Sequence, residues 1–518
     1  MKNESQLIAA IDIGSHSLCM KIIEINNMLE IKTLEHLRHA ISLGRDTYAM
    51  GKISYETLNE TCDILKGFKQ LMNDYNIKVY KAVATSAVRE AANKDNILDQ
   101  IKIKTGFHIN VITNSEERYL IFKAIKDNMN IYNNIRSENC IIVDIGSGSI
   151  QVSIYDDDKL TLSRNLKLGS LRIREILSDL EGRTLNFPRV MEEYIESSID
   201  NLKLFHHNKT FKNLIVIGGE IRLINKLCIS ENKADLNKYI FSEDFLNIYN
   251  KMLYLSPQSI TKNYNIPQES SDILLPTMMI LKKFLDITTN HMIYTPLVTL
   301  VDGVISDIIE RKNPYSLGVL QQDILSLCRL IGEKFNYQKN HAEDVENKSL
   351  ILFNALKKIH GLGAREKFLL QIAAILHDTG KYVSFNKHYV NSYNVIMASD
   401  ILGFSKNEMK IIANVARYHS GEIPSSNHLN FINLSEQSRI IVSKLSAIIR
   451  IADALDRSHK QKIKDMTVKC TDYEVIINVT ASEDILLEKW TFEIKSEYFK
   501  EVFGVAPILK VKKEISNV

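Results

Sequence analysis

The sequence predicts an α/β protein of two related halves facing one cleft, followed by an all-α domain and a small α+β cap. Three observations carry this. A strand–Asp–Gly/Ser turn–strand unit occurs twice; strands and helices alternate through the first part of the chain; and continuous helical periodicity replaces that alternation near residue 318. The expected boundaries are 1–125 and 126–312 for the halves, 318–460 for the helical domain and 463–518 for the cap.

The repeat comes first. Residues 8–20 read Ile-Ala-Ala-Ile-Asp-Ile-Gly-Ser-His-Ser-Leu-Cys-Met, and Val143–Ile150 repeats the core of that pattern 132 residues later, Asp12 to Asp144. Each copy drives an apolar strand into a lone carboxylate and then into a small-residue turn, Gly14-Ser15-His16-Ser17 or Gly146-Ser147-Gly148-Ser149. Such turns leave backbone N–H groups facing a ligand, and glycine lets phosphate oxygens approach the main chain. Asp144, at the mouth of its turn, is placed to hold a cation or orient water.

Between the copies, a helix is expected near Ser54–Asn73, with Leu58, Cys62, Leu65, Phe68 and Met72 on one face. Strand Val79–Ala84 enters a helix start at Thr85-Ser86-Ala87-Val88-Arg89-Glu90, where Arg89 is either a phosphate-binding fork or a surface residue behind an N-cap. Strand His108–Ile112 enters a second start at Thr113–Arg118. Its Glu116-Glu117 pair either complements the helix dipole or supplies a general base.

After the second copy, Arg189–Phe205 reads as helix, and strand Asn213–Ile217 ends in Gly218-Gly219-Glu220, a third wall for the cleft. A helix over Asp272–Asp286, broken early by Pro276, precedes strand Met292–Tyr294 and helix Leu300–Glu310; Asn313-Pro314 closes this part. In the cap, Met466–Cys470 and Val475–Thr480 read as strands, Ile485–Phe499 as a mixed segment and Ile508–Val511 as a short apolar end.

Composition narrows the class. The length, 518 residues, exceeds what one core serves. Lysine plus arginine, 65, nearly balances aspartate plus glutamate, 62, which argues against a general nucleic-acid binder. No apolar run reaches the roughly 20 residues of a membrane span. The Met1–Gln6 start does not read as a signal peptide, and the scattered Cys19, Cys62, Cys140, Cys228, Cys328 and Cys470 read as free thiols in the cytoplasm.

The segments Asp12–Ser17, Ala84–Arg89, Ser115–Phe122, Asp144–Ser149 and Ile217–Gly219, in this order, resemble the exopolyphosphatase / guanosine pentaphosphate phosphatase (Ppx/GppA) family, over about 310 residues. The resemblance implies two ribonuclease-H-like halves of the actin and sugar-kinase type, clamping a phosphate chain between Gly14, Ser15, Ser17, Gly146, Ser147, Gly148, Ser149, Gly218 and Gly219. It implies Glu117 as the group activating water, Arg89 as a phosphate contact, and Mg²⁺ held at Asp144, with Asp12 and Gln151 beside it. It also implies a homodimer. Three positions depart from the family pattern: His16 replaces Asn, Gln151 replaces a metal-binding Glu, and Glu220 replaces Ser or Thr.

The helical stretch resembles HD-domain phosphohydrolases in its run Ile372–Lys381, which contains His377-Asp378, and in Asp453 of Ile448–Arg457. That resemblance implies a site of His341, His377, Asp378 and Asp453 for Mn²⁺, Fe²⁺ or Zn²⁺, with His388 and His419 at second-metal positions. The expected activity is release of terminal phosphate from inorganic polyphosphate, or of the 5′ phosphate from guanosine pentaphosphate. The alternatives are hydrolysis in the HD domain, or a sensor that binds polyphosphate or an alarmone without turnover.

Overall fold

The computed structural model describes residues 5–513 except 29, 130–131, 185, 201–209, 230–237, 311–317 and 472–473. The chain divides into two compact units, Met1–Gln321 and Gln322–Val518.

The first unit holds two sheets. One is built from β1 (Gln6–Ile13), β2 (Ser17–Ile25), β3 (Ile31–Ala40), β4 (Val79–Ala84) and β5 (Ile109–Val111), in the order β3-β2-β1-β4-β5. The other contains β6 (Cys140–Ile145), β7 (Ile150–Asp156), β8 (Lys159–Leu166), β9 (Asn213–Ile217), β10 (Tyr239–Phe241) and β11 (Met292–Tyr294), in the order β10-β11-β9-β6-β7-β8. In each, an antiparallel three-strand meander is followed by a parallel strand on the far side of its first strand. The repeat is therefore one of topology as well as of residue type.

Register carries the likeness further. Asp12, Cys19 and Arg38 lie opposite one another across β1, β2 and β3, and Asp144, Gln151 and Asn165 form the twin row across β6, β7 and β8. Side chains directly opposite share a face of the sheet. Ile11, Leu18, Leu65, Phe68 and Phe107 anchor the first core, and Val143, Val152, Leu214 and Phe284 the second. Each such burial stabilises by roughly 1.5–3 kcal/mol.

The helix Tyr55–Asp74 buries Leu58, Cys62, Leu65, Phe68 and Met72, and Ser54 caps it by accepting from the Thr57 N–H. Pro276 does not break its helix, which runs from Gln268 to Leu285. Proline there removes one backbone hydrogen bond, at about 3 kcal/mol, but Ile273 through Leu281 are all buried, and their packing outweighs the loss. The helix expected to reach Phe205 is described over Phe187–Asp200; residues 201–205 and the Asn313-Pro314 stop lie outside the described residues.

In the second unit, the helices Lys339–Ala355, Ala364–Leu376, His388–Ala398, Lys406–Arg417 and Glu436–Ala454 form the helical part. Strands β12 (Ile463–Cys470), β13 (Glu474–Ala481) and β14 (Ala506–Lys513) make a sheet in that order. The segment read as mixed is one continuous helix, Leu486–Phe503, whose Phe492, Tyr498 and Phe499 are buried. All six cysteines are free, and no helix of the described residues is long and apolar enough to cross a membrane.

Candidate active site

In the first unit, both repeated turns close the same way. The Gly14 N–H donates to Ser17 O at 3.0 Å, and the Gly146 N–H donates to Ser149 O at 3.0 Å. A Cβ on either glycine would meet that same oxygen at 2.9 Å. The third wall packs just as closely: Gly218 has φ +144°, and a Cβ there would lie 2.3 Å from Ile145 O. These turns border a cavity of about 280 Å³ whose wall includes Asp12, Gly14, Ser15, Ser17, Glu117, Asp144, Ser147, Ser149 and Gly219.

Gly148 is required by its neighbours. Ser15 Oγ, Tyr48 Oη and Ser86 Oγ form a triangle with sides of 2.7, 2.9 and 3.0 Å, and a Cβ on Gly148 would sit 1.9 Å from Tyr48 Oη. Arg172 fastens the turn from behind, donating through Nε to Gly148 O at 2.6 Å and through Nη2 to Glu90 at 2.9 Å. Ser15 is thus held by hydroxyls while its turn's backbone borders the cavity.

Two adjacent glutamates take different jobs. Glu116 closes a capping box, its Oε2 accepting from the Thr113 N–H at 2.8 Å. Glu117, next on the same helix (Asn114–Asn128), faces the cavity. Arg89 is not in the cavity wall but behind Glu117: its Nη1 donates to Ile112 O at 2.6 Å and lies 3.3 Å from Glu117 Oε2, and its Nη2 bonds Asn114 Oδ1. The structure turns this fork toward the glutamate.

The carboxylates are electrostatically strained. Burial, then the charges of Glu117 and Asp144, push Asp12 up to about 8, with Arg38 pulling the other way. Burial and Glu117 push Asp144 up to about 7. Glu117 is also raised by burial, against the pull of Arg89. Among the described residues, Asp12 Oδ1 and Gln151 Oε1 are buried without a hydrogen-bond partner, and Gln151, 4% exposed, lies directly across from Asp144. An all-oxygen set with unmet acceptors and mutually repelling carboxylates fits a hard divalent cation such as Mg²⁺. The neutral Gln151 supplies a carbonyl oxygen to that set.

In the second unit, four imidazoles converge on two aspartates. His341 Nε2 lies 3.3 Å from His377 Nε2, 3.3 Å from Asp453 Oδ1 and 3.7 Å from Asp378 Oδ2. The other oxygen, Asp378 Oδ1, lies 3.4 Å from both His388 Nε2 and His419 Nε2. The Nδ1 atoms point outward: His377 donates to Ala374 O at 2.7 Å, His419 to Ala416 O at 2.6 Å, and His341 Nδ1 is 2.8 Å from Asp456 Oδ2. Outer bonds of this kind orient imidazoles for a metal. Three triads from this cluster bring their ligand atoms within 4.8 Å of one another, and one of them includes His459, stacked 3.6 Å from His341.

Sequence reading missed Arg38, Tyr48, Arg172, Asp456, His459 and Lys495. Lys495, buried on the helix Leu486–Phe503, bonds Asp453 Oδ2 and donates to His419 O at 3.1 Å. Only Asp456 carried a signal, three residues after Asp453 on the same quoted segment. The others reach their sites through strand register or long-range packing.

The sequence profile of the Ppx/GppA phosphatase family matches residues 21–312, and that of Ppx/GppA phosphatase domain III matches residues 326–499. A guanosine-5'-triphosphate,3'-diphosphate pyrophosphatase of Photobacterium profundum is 20% identical over 465 residues, covering 88% of this chain and 88% of its own. A bifunctional 3-dehydroquinate synthase/phosphatase of Fusobacterium nucleatum is 24% identical over 292 residues, covering 54% of this chain and 43% of its own. Among solved structures, an exopolyphosphatase from Cytophaga hutchinsonii superposes with a TM-score of 0.53 at 19% identity, covering 59% of this chain and 98% of that one. The likeness is one of fold, and the first unit has the actin-like, ribonuclease-H-like α/β architecture.

Proposed function

The chain belongs to the Ppx/GppA phosphatase family, and from that premise we propose that it hydrolyses a terminal phosphoanhydride in the cleft of its first unit. The observation that carries this is the convergence of Asp12, Asp144 and Glu117 on one cavity rimmed by both glycine turns. The substrate is inorganic polyphosphate or the 5′ phosphate end of guanosine pentaphosphate. Catalysis of such a transfer is mostly positioning and charge neutralisation.

Glu117 takes a proton from water as its oxygen attacks the terminal phosphorus. The bond from that phosphorus to the bridging oxygen breaks, and the shortened chain leaves with the bridging oxygen. A raised carboxyl is a better base near neutral pH, and Arg89 keeps it aimed. The Gly14–Ser17 and Gly146–Ser149 turns bind the phosphates. Asp12, Asp144 and Gln151 would hold Mg²⁺, which neutralises phosphoryl charge when bound. Phosphate release with Mg²⁺, compared between wild type and Glu117→Ala, tests the reading; undiminished release in the variant removes the chemistry from this cleft.

A second reading has its own observation. The imidazole–carboxylate cluster of the second unit fits an HD-type centre, in which His341, His377, Asp378 and Asp453 would hold Mn²⁺, Fe²⁺ or Zn²⁺ and the metal would supply an activated water. Phosphomonoester hydrolysis that depends on one of these metals, and disappears in Asp378→Ala but not in Glu117→Ala, would establish it.

A further inference from the structure

Two cations on the cleft wall, Lys21 and Arg38, are engaged by the protein's own carboxylates, while Arg222 also borders the cavity. Lys21 Nζ lies 2.6 Å from Asp302 Oδ1, and Arg38 Nη2 lies 3.1 Å from Glu220 Oε1. The second pair joins the two sheets. Arg38 extends the cross-strand row of Asp12 and Cys19, while Glu220 follows the Gly218-Gly219 turn at the end of β9. All of these groups border the same cavity.

The guanidinium lies over the glycine turn. Arg38 Nη1 is 3.5 Å from Gly219 O, and a Cβ on Gly219 would come within 3.2 Å of Arg38 Nη2. The Arg38 side chain is 43% exposed and the Glu220 side chain only 5%. Solvent, and therefore a ligand, reaches the cation, while the carboxylate is fixed in the wall. His16 sits beside the pair; burial lowers its pKa, so it adds no second cation at neutral pH.

A forked cation above a bare glycine backbone suits a phosphate group. A carboxylate already occupies that fork. We propose that Glu220 is an internal stand-in for a ligand phosphate, so that a phosphate that engages Arg38 at the Gly218-Gly219 wall takes it from Glu220. The phosphate then lies beside a buried carboxylate that has lost its partner, and that arrangement is costly. A ligand whose phosphates end at the two repeated turns escapes this cost. A long inorganic chain running on to the third wall does not. Glu220 therefore selects short phosphoanhydrides, of the kind a nucleotide carries, over long-chain polyphosphate. This inference rests on the cleft being the phosphate-binding site.

Equilibrium binding tests it without turnover. Full-length protein in a Glu117→Ala background is titrated with inorganic tripolyphosphate and with long-chain polyphosphate, in the presence of Mg²⁺. Adding the near-isosteric Glu220→Gln should tighten long-chain binding about tenfold, the size of one charge-assisted hydrogen bond, and tripolyphosphate binding less than about threefold. Adding Arg38→Gln as well should cancel the long-chain gain. Equal tightening of both ligands, no tightening, or a gain that persists without Arg38 overturns the proposal. So does absence of long-chain binding in the Glu220→Gln protein when its melting temperature matches the parent. If the variants bind as expected but wild type releases no phosphate from either ligand, the hydrolase reading alone fails.

Discussion

The cleft of the first unit and the cluster of the second bury carboxylates in opposite electrostatic states. In the cleft, burial and mutual repulsion hold Asp12 at about 8 and Asp144 at about 7. In the cluster, burial also opposes ionisation, yet Asp378 and Asp453 are held well below the usual carboxylate range. His377, His419 and Lys381 do this for Asp378; Lys495 and His341 do it for Asp453. The cleft holds carboxyls that resist ionisation, and an added cation would favour their ionised forms. The cluster largely neutralises itself, so a metal there must compete with ammonium groups.

The largest effect that sharpens this contrast is catalytic. Glu117→Ala should lower phosphate release from polyphosphate or guanosine pentaphosphate by about 10²–10⁴-fold, the worth of a positioned general base. Asp378→Ala should leave it within about twofold, because Asp378 lies in the other unit's cluster. Equal losses in the two variants would erase the functional distinction.

Metal content gives the next contrast. Elemental analysis of protein purified with added Mn²⁺ or Zn²⁺ should find about one tightly held ion per chain, reduced at least tenfold by His377→Ala, since removing one of few ligands costs at least that much affinity. Mg²⁺-dependent phosphate release should be unchanged by the same substitution. Loss of that activity would mean that the two sites are not separable.

A structural contrast lies inside the cleft itself. Gly148→Ala places a carbon 1.9 Å from Tyr48 Oη, whereas Gly67→Ala meets no atom within 4 Å. The first should destabilise by about 1–3 kcal/mol and lower the melting temperature by several degrees. The second should do neither. Tyr48→Phe should recover part of the loss, because the hydroxyl is the nearest clashing atom.

What the sequence made legible follows from how local each feature is. The twin turns were readable because strand, carboxylate and glycine are neighbours in the chain, and the glycines are demanded by contacts three residues away. The Glu116-Glu117 pair was readable only as a choice. The capping box that commits Glu116 depends on the side chain of Thr113, and once it forms only Glu117 is left to face the cavity. Glu220 read only as a departure from the family pattern, because its partner Arg38 lies 182 residues away and meets it only across two sheets. The cluster's histidines stood out as a pattern. Lys495 did not, since one lysine on a helix carries no mark of the buried aspartate it will meet. Pro276 misled because local rules count its missing hydrogen bond and do not see the buried side chains around it.

The smallest effect is a slope of stability with pH, and its sign separates the two sites. Asp12 at about 8 when folded lies above the roughly 3.9 of an unfolded aspartate, so the native state holds its proton more tightly. That contribution is fully present below about pH 4 and is lost as pH rises through 8. In metal-free protein, the melting temperature of wild type relative to Asp12→Asn should therefore fall by a few degrees between pH 5 and pH 8. Mg²⁺ favours the ionised carboxylate and should flatten that slope. Asp453 is displaced in the other direction, so its contribution is present above about pH 4 and lost only as pH falls below that. The difference between wild type and Asp453→Asn should then stay level across pH 5 to 8. A level Asp12 difference without Mg²⁺ would show that the cleft is neutralised from within, as the cluster is, and the contrast between the two sites would fail at its physical root.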